Sequence, residues 1–115
     1  MNNTVQKALD IINIISSSEE SLGISEISRR LGLAKSTVFN ILHTLLANNV
    51  LEESDKRDLT YQLGSDLCRL GFRYLAKHDL LDVARARLSQ LREDTGLTVF
   101  MAIRNKLEMV YVLRL

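Results

Sequence analysis

Apolar residues recur every three or four positions near the start of the chain, which predicts an amphipathic first helix. Its stripe comprises Val5, Ala8, Leu9, Ile12 and Ile15. The helix is expected to begin at Asn3, which forms a capping-box-like start with Gln6, and to end in the serines at 16–18. Ile11 and Ile14 widen the apolar arc beyond one packing face. They are either contacts with a partner chain or signs of a helix buried more deeply in one chain.

Two further helices are predicted between residues 24 and 49. A short second helix covers 24–31, with Ser25 as its expected N-cap and Gly32 as a left-handed stop. The third helix is expected to run from about Ala34 to Asn48-Asn49. Its inward stripe is predicted to comprise Val38, Ile41, Leu42 and Leu45. Two helices joined by a tight glycine turn are typical of a helix-turn-helix.

The rest of the chain is predicted to contain two hairpins separated by helices. Strands at 49–53 and 59–63 flank a charged loop at 54–58, and Gly64 ends this first hairpin. Helices at 65–78 and 79–95 follow, and strands at 98–103 and 108–115 form the second hairpin. The expected fold class is therefore mainly α with small β-hairpins. Its parts are a winged helix-turn-helix over 1–64, a linker helix over 65–78 and a truncated α/β segment over 79–115.

The start of the third helix carries groups suited to nucleic acid. Lys35, Ser36 and Thr37 place an ammonium, two hydroxyls and free backbone N–H groups at a helix N-terminus, where phosphates and base edges can be bound. With Val38 inward, the outward arc includes Asn40, which can bond to both hydrogen-bonding groups of an adenine edge. The residues expected to contact DNA are Ser25, Lys35, Ser36, Thr37, Phe39, Asn40, His43 and Thr44, with Lys56 and Arg57 at the tip of the wing.

Composition and charge narrow the function only slightly. The chain has 115 residues and a formal net charge of +1, so bulk positive charge does not indicate a nucleic-acid partner. However, no acidic residue lies between Leu33 and Leu51, so the third helix is free of negative side chains. No apolar run approaches the roughly 20 residues that span a bilayer, and the start is unlike a signal peptide, so we expect a cytoplasmic protein without a membrane partner.

Candidate chemistry for catalysis or metal binding is sparse. Cys68 is the single cysteine, which excludes an internal disulfide, and we expect it to be buried as a small apolar side chain. His43 and His78 have no recognisable nucleophile or carboxylate partner, and the sequence contains no metal-ligand spacing. The sequence therefore predicts neither an enzyme nor a metal or cofactor site.

Several segments together resemble the IclR-type bacterial transcription regulators. The most specific is the block Arg-Leu-Gly-Leu-x-Lys-Ser-Thr-Val at 30–38, and the others lie at 5–12, 24–29, 61–64, 79–85 and 95–99. The resemblance implies a winged helix-turn-helix that binds a pseudo-palindromic operator as a homodimer, usually as a repressor. It also implies operator contacts by Lys35, Ser36, Thr37, Phe39 and Asn40.

The resemblance also implies a linker helix and a C-terminal domain that binds a small-molecule effector. Family members are generally more than twice as long, so residues 79–115 are expected to be the start of an incomplete effector domain. An effector is expected only if the remaining region is present. Dimerisation is expected through the first helix, the linker helix or both, with Ile11, Ile14, Leu67 and Leu70 as candidate contacts. The alternative function is a winged-helix protein-interaction module that does not bind DNA.

Overall fold

The chain divides into two compact units, residues 1–70 and 71–115. The computed structural model describes residues 2–55 and 57–115, with Leu80 described by its backbone alone. The helices are α1 (Asn3–Ser17), α2 (Ile24–Leu31), α3 (Lys35–Ala47), α4 (Asp66–Lys77) and α5 (Leu80–Thr95). The strands are β1 (Leu22–Gly23), β2 (Leu51–Asp55), β3 (Thr60–Leu63), β4 (Phe100–Asn105) and β5 (Glu108–Arg114). The division between the units falls within α4. The domain boundaries predicted after residues 64 and 78 remain predictions.

The first unit has one apolar core, to which its first three helices and its sheet all contribute. The buried side chains are Ile11, Ile15, Leu22, Ile27, Val38, Ile41, Leu42, Leu51 and Tyr61. Burial of such apolar surface is the main force that stabilises a domain of this size. Because these residues come from six different elements, the core holds α3 in a fixed place relative to α1, α2 and the sheet.

The buried face of helix α1 is not the one that the sequence predicted. Ile11 is 0% exposed and lies in the core, whereas Val5 and Leu9 are 56% and 48% exposed. The prediction that Ile11 contacts a partner chain is therefore wrong, because the domain's own core surrounds it. Ile14 is partly buried and packs against the same core. The predicted N-cap is also wrong by one residue, since the side chain of Asn2, not Asn3, accepts hydrogen bonds from the backbone of the first turn.

Helices α2 and α3 agree with the sequence prediction except at one cap. Gly32 ends α2 with φ 65°, the left-handed conformation that glycine adopts without strain. Val38, Ile41 and Leu42 are buried on α3, as predicted. Ser25 is not the N-cap of α2, because it lies within the helix and Gly23, two residues earlier, takes the N-cap position without a side-chain hydrogen bond.

The wing is a three-stranded antiparallel sheet in the order β1-β3-β2, whereas the sequence predicted two strands. The missing strand is β1, in which Leu22 pairs with Tyr61. Strand β2 begins at Leu51 rather than at the predicted residue 49. The reason is that Asn49 has φ 57°, a left-handed conformation that ends the helical region and cannot belong to a strand.

A tight backbone contact joins the end of α3 to the start of α4, and we call it the α3–α4 joint. The backbone N–H of Gly64 donates to Val50 O at 2.8 Å, and that of Asp66 donates to Asn49 O at 3.0 Å. The N–H of Ser65 donates to a carboxylate oxygen of Glu52 at 3.0 Å. Gly64 lies so close to the chain before β2 that a Cβ atom added to it would stand 2.2 Å from Asn49 O.

Helix α4 departs from the prediction in one respect, since Cys68 is exposed rather than buried. In the second unit, α5 ends at Gly96 with φ 69°, as the sequence suggested. Strands β4 and β5 form an antiparallel hairpin with a register shift between Met101 and Ala102. None of the described helices has the length and apolar character needed to cross a membrane.

Candidate nucleic-acid interface

The turn between α2 and α3 is fixed by Ser28. Its carbonyl oxygen accepts hydrogen bonds from the backbone N–H groups of Gly32 and Leu33, the latter at 3.1 Å. Its hydroxyl donates to Leu33 O across the same turn. Ser28 was not among the predicted site residues, although a hydroxyl four residues before a helix-ending glycine is a usable signal. These bonds set the direction in which α3 leaves the turn.

The N-terminus of α3 is left open to an external acceptor. Ala34 precedes the helix in an extended conformation, and no side chain of the described residues caps the first turn. Lys35 and Ser36 are exposed, and Thr37 is half-buried. The first N–H groups of a helix have no partner within it, and the helix dipole gives them a partial positive charge. The predicted cluster of ammonium, hydroxyl and N–H groups therefore lies at one accessible place.

The outward face of α3 is exposed, as predicted from the inward position of Val38. It comprises Ser36, Phe39, Asn40, His43 and Thr44. The rings of Phe39 and His43 are in contact, with centroids 4.1 Å apart and planes tilted by 55°. The Thr44 hydroxyl donates to the backbone oxygen of Asn40 at 3.3 Å. Contact of these side chains with DNA remains a prediction.

Helix α1 borders this face, which the sequence did not reveal. A groove of about 300 Å³ runs between α1 and α3. It is lined by Thr4, Val5, Ala8, Asn40, Ile41, Thr44 and Leu45. Asn40 and Thr44 therefore stand at the edge of α3 nearest to the first turn of α1.

A charged cluster on α2, which we call the Glu26 triad, comprises Glu26, Arg29 and Arg30. Arg29 approaches the Glu26 carboxylate to 2.5 Å and Arg30 approaches it to 2.8 Å. Hydrogen bonds from Arg29, and then from Arg30, lower the pKa of Glu26 from 4.5 to about 2. The carboxylate is ionised at neutral pH, and the stability that its ion pairs contribute is lost as the pH falls from about 4.5 towards 2. The triad keeps one net positive charge beside the turn.

Comparison with known proteins identifies the domain that carries this face. Residues 4–55 match the family model for the IclR helix-turn-helix domain. The chain belongs to the IclR family. It is 34% identical to the glycerol operon regulatory protein of Streptomyces coelicolor, over 87% of this chain and 39% of that protein. It is 37% identical to the HTH-type transcriptional regulator BhcR of Paracoccus denitrificans, over 88% of this chain and 36% of that protein.

Solved structures of IclR regulators share the fold. An IclR family transcriptional regulator from Brucella abortus superposes with a TM-score of 0.80 at 30% identity, over 100% of this chain and 43% of that one. An IclR regulator from Alicyclobacillus acidocaldarius gives a TM-score of 0.81 at 26% identity, over 100% of this chain and 46% of that one. The chain thus spans about two fifths of the length of the curated relatives it matches.

The remaining site residues of this IclR domain lie on or beside the wing. Arg57 is exposed, and its backbone N–H donates to Asp55 Oδ1 at 2.7 Å. Lys56 lies outside the described residues. Ser25 is exposed and lines a groove with the base of the wing loop, including Asp58 and Thr60, rather than the outward face of α3. Within the described residues, no group of three or more His, Cys, Asp and Glu side chains could hold a metal ion.

Proposed function

We propose that this chain binds duplex DNA in a sequence-specific manner and acts in transcription regulation, with α3 in the major groove. The observation that supports this most is the exposed, acid-free outward face of α3, which begins at an uncapped helix N-terminus. The second helix of a helix-turn-helix reads base edges from this position, while the first crosses the backbone. The names of its relatives, an operon regulatory protein and an HTH-type transcriptional regulator, describe the same role.

Each predicted contact has a distinct task in this proposal. Lys35, Ser36 and Thr37 bind phosphate oxygens, which positions the domain without reading sequence. Asn40 reads an adenine edge, and Phe39, held by the His43 ring, packs against a thymine methyl. Arg57 and Lys56 hold the neighbouring backbone from the wing, and Ser25 and Thr44 contact phosphates at the borders of the site.

The test is selection of bound fragments from a random duplex pool, followed by titration at several salt concentrations. We expect Asn40→Ala to relax the preference at one base position by about 1–3 kcal/mol. Lys35→Ala should weaken binding to all duplexes alike and reduce the log-log salt slope by about 0.9. Asn105→Ala removes an exposed amide from the second unit and should change neither quantity. A protein-interaction module, the alternative function, would enrich no sequence and show no salt-dependent binding to duplexes.

We also propose a homodimer in which the outer side of α1 contacts its copy. Val5 and Leu9 are exposed apolar residues on one side of α1, and half-buried Ile12 lies next to Val5 on the helical wheel. They replace Ile11 as candidate contacts. The secondary candidates for contact with the second copy are Ile14, half-buried Leu67 and half-exposed Leu70.

Leu9→Glu should shift the chain towards a monomer in sedimentation velocity, because it places a charge in an apolar contact. Ser17→Glu adds the same charge at an exposed position of the same helix and should leave the sedimentation coefficient unchanged. A dimer that persists in the Leu9 variant at the lowest measurable concentration would contradict this interface.

The other expectations stand as proposals of the same kind. We place the protein in the cytoplasm, without a membrane partner, cofactor or catalytic activity, and regard repression as the direction of regulation. A small-molecule effector would bind only where a region beyond these 115 residues is present.

A further inference from the structure

Two adjacent arginines of the Glu26 triad differ in how they use their hydrogen-bond donors. Arg29 donates from both Nε and Nη2, at 3.2 and 2.5 Å, to the two oxygens of Glu26. Arg30 donates only from Nε, at 2.8 Å, to one of these oxygens. A guanidinium has five N–H groups, of which four are on its two Nη atoms. Both Nη groups of Arg30 are therefore without a protein acceptor in the part of the chain that the structure describes.

The geometry also shows that the Glu26 carboxylate does not neutralise the charges of Arg29 and Arg30 equally. A two-bond pair between a guanidinium and a carboxylate is the strongest and most oriented form of this interaction, so the Glu26 charge is matched mainly to Arg29. The surplus positive charge of the triad therefore lies mainly on Arg30. Its side chain is 39% exposed, against 71% for Arg29, so neighbouring atoms cover more of Arg30 than of Arg29.

We propose that Arg30 is a DNA phosphate contact, held in place by Glu26, and that Arg29 is not one. This inference rests on the proposed DNA binding and adds a residue that the sequence did not place in the site. Arg30 lies in the last turn of α2, two residues before the Gly32 turn, on the helix that crosses the DNA backbone in this motif. Its two free Nη groups match the paired oxygens of a phosphate, and Glu26 fixes the guanidinium before DNA arrives.

The test compares two neighbouring substitutions that remove the same charge, in the full 115-residue chain. Binding to a fluorescein-labelled duplex of mixed sequence is followed by anisotropy over a range of salt concentrations. We expect Arg30→Gln to weaken binding several-fold and to reduce the log-log salt slope by about 0.9, which corresponds to one phosphate contact. Arg29→Gln should leave the slope unchanged. Arg30→Lys should recover most of the slope, because the ammonium keeps the charge.

Two further measurements keep the outcomes distinct. Far-UV circular dichroism melts of each variant show whether α2 remains folded, and Lys35→Ala serves as the positive control for a lost phosphate contact. If Arg29→Gln and Arg30→Gln reduce the slope equally, or Arg30→Gln does not reduce it, the assignment of Arg30 is wrong while DNA binding stands. If the wild-type chain binds no duplex at any salt concentration, the proposed function fails and the Arg30 contact fails with it.

Discussion

Ile11→Ala is expected to lower the free energy of unfolding by about 3 kcal/mol, within the range for truncating a fully buried isoleucine. Ile11 is 0% exposed and packs in the core that α1 shares with α2, α3 and the wing. The lost side-chain atoms remove apolar contacts and leave a cavity that the surrounding helices fill only in part. Urea unfolding followed by circular dichroism measures the loss.

Leu9→Ala is the matched control, because Leu9 is an apolar residue two positions away on the same helix and is 48% exposed. Its removal should change the unfolding free energy of the dilute protein by no more than about 0.5 kcal/mol. The loss caused by Ile11→Ala should be the same at every protein concentration, whereas any loss caused by Leu9→Ala should disappear on dilution. If the loss of unfolding free energy in the Ile11 variant depended on protein concentration, Ile11 would instead lie in a partner interface.

Gly64→Ala should destabilise the first unit by about 3 kcal/mol, at the upper end of the usual cost of an added core methyl group. The new Cβ would stand 2.2 Å from Asn49 O, 2.7 Å from the carbonyl carbon of Asn49 and 2.9 Å from that of Val50. All three atoms belong to the backbone, so no side chain can rotate away to relieve the contact. We expect thermal melting of the first unit at a markedly lower temperature.

The chain provides a matched control for this substitution. Gly71 lies within α4, and a Cβ added there would meet no atom within 4 Å apart from its chain neighbours and the backbone of its own helix. Gly71→Ala should therefore stabilise the helix, by about 0.5–1 kcal/mol, because alanine loses less backbone entropy than glycine in a helix. If both glycine variants melt at the wild-type temperature, the close approach at Gly64 does not exist in solution.

The helix-turn-helix was predictable because each of its signals is local. Gly32 permits a left-handed stop, and Val38 fixes the inward direction of α3, so the outward face follows from helical geometry alone. Glu26, Arg29 and Arg30 were equally visible at spacings of three and four residues. The sequence could not show that Arg29 forms two hydrogen bonds to Glu26 and Arg30 only one. Which guanidinium nitrogen bonds to which carboxylate oxygen depends on side-chain conformation rather than on spacing.

The orientation of α1 could not be read from its pattern because apolar residues surround most of the helix. Val5, Leu9 and Ile12 form as regular a stripe as Ile11 and Ile15, and only the shape of the surrounding core decides which stripe is buried. Strand β1 was missed for a different reason. It has two residues, too few to show an alternating pattern, and it exists because β3 offers Leu22 and Gly23 a pairing edge.

The α3–α4 joint has a mechanical consequence for the first unit. Asn49, two residues after the end of α3, accepts a hydrogen bond from the first residue of α4 and lies close to Gly64, so the two helix ends are directly coupled. The wing strand β2 is tied to the same place through Glu52 and Ser65. We therefore expect a rotation of the first turn of α4 to displace the C-terminal end of α3 with it, because shared hydrogen bonds couple the two helix ends.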